Sequence, residues 1–254
     1  MKKFMFVFLV LLYVVYAQNV GKSDLRIGIG GMYDSHNLND NGTISSTLGH
    51  IVVSGKDFYL DDRVYAELNA RWGIGSAKSS GISGFDTKSE NRKSGIQEVD
   101  IKFGYNLLGQ QNPLYVVFGA SLDSYGTNAI STISTNPSEQ RYGLSILLYS
   151  LELGFRGFVR SSSALSIEYG ITYNRVLNDK LHRINHISLD NDGFAYGIKG
   201  SLGIAYELNR YVELFANAHV KYFDLPATST LNPHYPASSN ITGMLEFGVG
   251  FLGI

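Results

Sequence analysis

The sequence contains no cysteine. That excludes disulfide frameworks, Cys-ligated zinc, thiol nucleophiles and the lipidated cysteine of a bacterial lipoprotein. Charge is scarce as well: Asp, Glu, Lys and Arg make up 17% of the 254 residues, where soluble domains carry about 25%. The scarcity has no sign, because 21 basic and 22 acidic residues leave a formal net charge of -1, which gives no electrostatic footprint for nucleic acid. Long apolar runs are missing beyond the first segment. The richest window, residues 144–155, is broken by Ser145, Ser150, Glu152 and Gly154, so no membrane-spanning helix is predicted. What replaces charge is 28 Gly, 17 Tyr and 14 Phe at an ordinary 44% hydrophobic content. A chain so aromatic and so nearly neutral does not read as disordered.

Residues 1–17, MKKFMFVFLVLLYVVYA, have a basic start at Lys2 and Lys3, an apolar stretch over 4–15, and Val15-Tyr16-Ala17 as a small-residue cleavage site. This is the pattern of a secretory signal peptide, and the mature chain is expected to begin at Gln18. Residues 18–254 are expected to form one domain.

Through that domain the dominant period is two. Val64, Ala66, Leu68, Ala70, Trp72 and Ile74 alternate with Arg63, Tyr65, Glu67, Asn69 and Arg71. The same split recurs over 25–33, 98–106, 114–123, 150–156, 165–174, 201–208, 212–222 and 245–251. Such alternation marks strands with two unlike faces. A soluble sandwich would show it too, but the spacing between segments is regular. Short connections are expected near 59–62, 107–112, 159–163 and 209–210, and long polar ones over 34–49, 77–94, 125–140, 178–193 and 225–239. Short turns at one end and long loops at the other are the asymmetry of transmembrane β-barrels. The fold expected is therefore all-β, an antiparallel up-and-down transmembrane barrel of about ten strands. The register of 49–58 is obscured by the run Ile51-Val52-Val53; if that segment is loop, eight strands remain.

In such a barrel the apolar face meets lipid and the other face lines a narrow lumen. That second face carries Arg26, Arg63, Glu67, Arg71, Glu98, Asp100, Lys102, Asp123, Glu152, Arg156, Glu168, Lys199, Glu207, Glu213, Lys221 and Glu246. Unpaired charge in a narrow lumen is costly and paired charge is tolerable. The mixed signs predict a salt-bridged, largely plugged interior, since wide aqueous pores need about 16 strands. Tyr59, Tyr105, Phe158, Tyr206 and Tyr211 fall at the turn end, and Tyr33, Trp72, Tyr173, Phe194 and Tyr222 at the loop end, where interfacial aromatic girdles sit. Most glycines are expected on the lumen face.

The last strand, Glu246-Phe-Gly248-Val-Gly-Phe251, resembles the C-terminal assembly signal of Gram-negative outer-membrane barrels, a polar residue and glycine followed by alternating aromatics. Gly253 and Ile254 stand where that signal carries a terminal aromatic. The resemblance implies placement in a bacterial outer membrane, lipid as surroundings, and the barrel-assembly machinery as a partner during biogenesis. A narrower resemblance is to the omptin proteases, ten-stranded barrels with five outer loops, through the strand arrangement and the phrase Leu68-Asn-Ala-Arg71 before a Ser/Gly-rich loop. Omptins activate water with an Asp pair in one loop and an Asp-x-His pair in another. Here the corresponding loops offer only Asp86, and Asp179 with His182 spaced one residue wider, so the catalytic set is incomplete.

Other motifs dissolve on inspection. Gly248-x-Gly250-x-x-Gly253 matches a dinucleotide fingerprint but has no helix to follow it. His182 and His186 lack a third ligand. No cofactor or metal is expected. The role expected first is a non-enzymatic surface or structural barrel whose five loops contact an extracellular ligand. A narrow channel for ions or small solutes is the alternative, and an omptin-like protease the third.

Overall fold

The structure, a computed structural model, describes residues 24–38, 42–80, 92–109, 112–127, 144–160, 164–177, 182–184, 187–189, 193–227 and 237–253. The expected signal peptide lies outside them. In chain order the strands are β1 (Asp24–Asn37), β2 (Thr43–Tyr59), β3 (Val64–Ser80), β4 (Arg92–Asn106), β5 (Leu114–Thr127), β6 (Leu144–Arg160), β7 (Leu165–Val176), β8 (His182–Ile184), β9 (Ile187–Leu189), β10 (Tyr196–Asn209), β11 (Val212–Leu225) and β12 (Ser238–Leu252). All except β8 and β9 form one antiparallel barrel of ten strands. β1 pairs with β12 from Asp24↔Leu252 to Asn37↔Ser239, which closes the cylinder. The short β8–β9 hairpin extends the upper end of β6 through Leu144↔Ile184. Closure leaves the barrel wall no free edge, the condition for strands to cross hydrocarbon.

The alternation of residue types becomes an alternation of environments. On β1, Arg26, Met32, Asp34 and His36 are buried inside, while Ile27, Ile29 and Tyr33 are exposed outside. Ile74 is 81% exposed and Ile29 69%, values that make sense only against lipid. Leu151, Leu153, Phe155, Leu202, Ile204, Leu245 and Phe247 continue the apolar outer surface. At its borders Arg175 lies over the Phe194 ring at 3.9 Å, Tyr173 stacks on Tyr196, and Arg210 lies over Tyr211 at 4.5 Å. The glycines divide between the faces: Gly28 and Gly248 look inward at the Phe215 ring, whereas Gly31, Gly49 and Gly243 face open space.

Three expectations are corrected. Residues 34–49 are mostly strand: β1 and β2 stay in register up to Asn37↔Thr43, and the connection is only 38–42. The polar side chains that suggested a loop, such as Asp34, His36 and Ser46, point into the lumen. At about 3.3 Å per residue and a tilt near 40°, a strand of 17 residues rises about 43 Å. That exceeds the roughly 30 Å of hydrocarbon, so the wall stands clear of it and its outer face turns polar. Arg63 belongs to the β2–β3 turn, exposed, and not to the lumen, because β3 begins only at Val64 and the Arg63 amide closes the turn by donating to the Leu60 carbonyl. Phe158 is not a girdle residue but is buried inside the barrel.

The β2–β3 turn is unusual. Leu60, Asp61 and Asp62 all have positive φ, 53°, 56° and 61°, a conformation that costs non-glycine residues about 1–2 kcal/mol each. It is held by Asn106 Nδ2 and Tyr115 Oη, which donate to the Asp62 carbonyl at 3.1 and 2.9 Å.

Candidate functional site

The lumen is the chemically dense part of the molecule, and it has three levels. At the turn end Phe58, Tyr65, Tyr115 and Phe158 pack into one aromatic cluster with ring centroids 5.2 to 6.1 Å apart. Each comes from an inward position of a different strand: β2, β3, β5 and β6 respectively. Above the rings sit Lys56 and Arg156, both within cation–π reach of Phe158 at 5.3 and 5.6 Å. Arg26 donates to Glu213 and Glu168 at 2.6 Å each and lies 3.2 Å from Asp24. Lys56 joins Asp24 at 2.8 Å and also Glu168. Arg156 links Glu168 to Glu67 at 3.1 and 3.4 Å, and the Tyr65 hydroxyl donates to Glu67.

At mid-height the ion pairs close into a ring. Lys102 joins Asp100 to Glu152, the latter at 3.3 Å. Lys199 joins Glu152 to Asp123 at 2.8 and 3.0 Å. Lys221 joins Asp123, at 3.0 Å, to Glu98. Arg71 joins Glu98 at 3.1 Å back to Asp100 at 3.7 Å. Four cations therefore alternate with four carboxylates around the barrel, drawn from β3, β4, β5, β6, β10 and β11. Glu246 of β12 hangs from this ring through Arg71 Nε at 2.5 Å, and receives His50 and His219 at 3.0 and 3.1 Å. The ring borders a small cavity that is partly open to solvent.

The loop end is apolar again. Leu38, Ile146, Leu148, Val176, Ala195, Phe223 and Leu225 form a buried cluster, and Met32, Leu48, Ile96 and Met244 a second; Tyr125 packs against both.

Of the sixteen charges assigned to the lumen, fourteen join this network: Arg26, Glu67, Arg71, Glu98, Asp100, Lys102, Asp123, Glu152, Arg156, Glu168, Lys199, Glu213, Lys221 and Glu246; Arg63 lies in a turn, and Glu207 stands near the turn end of β10, outside the network. Sequence reasoning missed Asp24, His50 and Lys56. The period-two spacing His50, Val52, Lys56 carried the signal, but Val52 points inward and disguised it. Asp86 and Asp179 lie outside the described residues, and of His182 only the backbone position on β8 is described. Among the described residues no group of three His, Asp or Glu side chains is placed to hold a metal ion. On the proposed assembly signal, Glu246 and Gly248 face inward and Phe251 outward.

Comparison with solved structures fixes the class of fold. The outer membrane protease OmpT from Escherichia coli superposes with a TM-score of 0.56 at 10% identity, covering 92% of this chain and 99% of that one. The fold is that of the outer-membrane β-barrels. The translocator domain of the autotransporter NalP from Neisseria meningitidis (TM-score 0.46, 13% identity, 98% and 95% covered) and the outer membrane protein OprG from Pseudomonas aeruginosa (0.43, 13%, 93% and 97%) are similar more loosely. No protein-family model matches the chain, and a search of curated proteins finds none that does. At these identities the likeness extends to the fold and not to a protease's or a channel's chemistry.

Proposed function

We propose that this barrel is a closed, non-enzymatic outer-membrane protein, which seals its own lumen and presents the loop-end connections to the cell exterior. The observation that carries the reading is the alternating ion-pair ring above an aromatic stopper. A conducting pore needs fixed charges left free to exchange with mobile ions; here each ring cation already bridges two carboxylates. Two charges held this way out of water do not open without a loss of several kcal/mol. The short turns then face the periplasm, the exposed apolar belt meets outer-membrane lipid, the β12 pattern is read by the barrel-assembly machinery, and the loops contact an extracellular ligand. The long connections, 81–91, 128–143, 177–195 with its β8–β9 hairpin, and 226–237, offer the length for such contact.

Planar-bilayer recording on the purified barrel tests this. The expected trace is flat at all voltages short of membrane breakdown; discrete conductance steps overturn the closed lumen. The non-enzymatic half is tested by incubation with basic peptides. Cleavage that disappears on His182→Ala overturns it.

A further inference from the structure

Among the described residues two buried carboxylates stand apart from the ion-pair network: Asp57 beside the β2–β3 turn, and Asp34 inside the lumen near its loop end. Asp24, Glu67, Glu98, Asp100, Asp123, Glu152, Glu168, Glu213 and Glu246 each face at least one cation within ion-pair distance. Asp34 is as deeply enclosed, at 6% exposure, yet among the described residues it makes no ion pair. Its partners are neutral: Asn240 Nδ2 and Thr242 Oγ1 both donate to Oδ1, at 2.9 and 2.7 Å. These two bonds fix the carboxylate's orientation without supplying the missing charge. A buried charge with hydrogen bonds but no counter-charge is a costly arrangement for a protein to keep.

The carboxylate borders a second cavity at the loop end of the lumen, small inside and open to solvent at its mouth. A further group there is unsatisfied: the Tyr125 hydroxyl is buried and has no hydrogen-bond partner among the described residues. The hydroxyls of Ser46 and Ser94 meet at 3.3 Å on the same wall. The remaining lining includes the apolar side chains of Leu48 and Ile146. One anionic acceptor, the unpartnered Tyr125 hydroxyl, the His36 imidazole and an aliphatic wall define the ligand chemistry. A bare metal ion would lack ligands, since no metal-holding trio is present among the described residues. An anion would be repelled.

We propose that this cavity binds a small organic cation, a protonated primary amine carried on a short apolar chain. The ammonium donates to Asp34 and to the Tyr125 oxygen, and the chain lies along Leu48 and Ile146. Burial strengthens the charge pairing, because water is excluded from it.

The test is calorimetric titration of the folded barrel in detergent with n-butylammonium chloride, with 1-butanol and sodium chloride as controls. Saturable one-site binding of the amine is expected, absent for both controls. Asp34→Asn, which keeps an oxygen for Asn240 and Thr242 but removes the charge, should weaken it at least tenfold, and Tyr125→Phe several-fold. Heat-dependent gel mobility verifies that each variant is a closed barrel. If Asp34→Asn does not fold, Tyr125→Phe decides. No saturable heat in the wild type, equal binding of 1-butanol, or affinity unchanged in a folded variant overturns the assignment.

Discussion

Replacing Arg71 by Met tests whether the lumen ring is a working part of the fold. Arg71 is the only ring cation that also holds Glu246, and its removal affects its three carboxylates unequally. Glu98 keeps Lys221, and Asp100 keeps Lys102. Glu246 is left with His50 and His219 alone, at 3.0 and 3.1 Å. The damage thus amounts to one uncompensated buried carboxylate, and the expected loss of stability is about 3–5 kcal/mol. Adding Glu246→Gln removes the stranded charge while preserving shape. The double variant should therefore recover at least about 2 kcal/mol of that loss, a coupling within the range seen for contacting residues. Urea unfolding from lipid vesicles reads both quantities, and the single tryptophan, Trp72, reports on it from the outer face of the same strand. The reasoning is refuted if Arg71→Met lies within about 0.5 kcal/mol of the wild type, or if the double variant is no more stable than the single one.

Three further outcomes follow from other parts of the barrel. Phe158→Ala, which empties the centre of the aromatic stopper, should lower stability by about 3–5 kcal/mol and still give no conductance, because the ring above it stays closed; steps in this variant would make the stopper the sole seal. Leu60→Gly should raise stability by about 1 kcal/mol in the same urea assay, since glycine accepts the positive φ without strain. Gly30→Ala should lower it by about 1–3 kcal/mol, because a Cβ there would press on the Leu245 carbonyl oxygen and sit 2.5 Å from Cε1 of His50, pushing that ring off Glu246; a variant as stable as the wild type would sink this reading of the close approach.

Much of the barrel was legible because lipid and lumen enforce opposite preferences on successive residues. Wherever the inward face is charged, as at Glu67-x-Asn69-x-Arg71 or Glu98-x-Asp100-x-Lys102, the strand, its register parity and its lumen residues could all be read directly. Legibility failed where the inward face is apolar. Val52, Phe158, Phe215 and Val117 point inside, and on sequence alone they look like lipid-facing residues. The ends of the lumen are packed like a protein core, so polarity stops marking direction there. Above the bilayer the reverse failure occurs. Strand residues of 34–49 are polar or glycine on the outer face and, apart from Ile44 and Leu48, polar on the inner face as well, and without an apolar outer face the alternation vanishes although the hydrogen-bonded ladder continues. The pairing of the ring members was beyond reach for a different reason: Arg71 and Glu98 are neighbours across one ladder, but Lys221 of β11 and Glu98 of β4 meet only because the sheet closes.

That closure also explains why the charges alternate as they do. In a flat sheet an inward Lys199 could pair only with neighbours on adjacent strands, whereas inside a narrow cylinder it reaches Asp123 and Glu152, carried by β5 and β6. In the sheet β7 lies between β10 and β6, so Glu152 is reached over one intervening strand and Asp123 over two, β7 and β6. Each such bridge ties non-adjacent strands together at mid-height, where hydrocarbon outside offers no force to hold the cylinder round. The ring is thus a brace as well as a plug, and it uses up the charges that would otherwise serve a solute. Asp34 lies toward the loop end and outside that brace. A ligand cation entering there would have no ion pair to break, and this is where binding can occur without loosening the barrel.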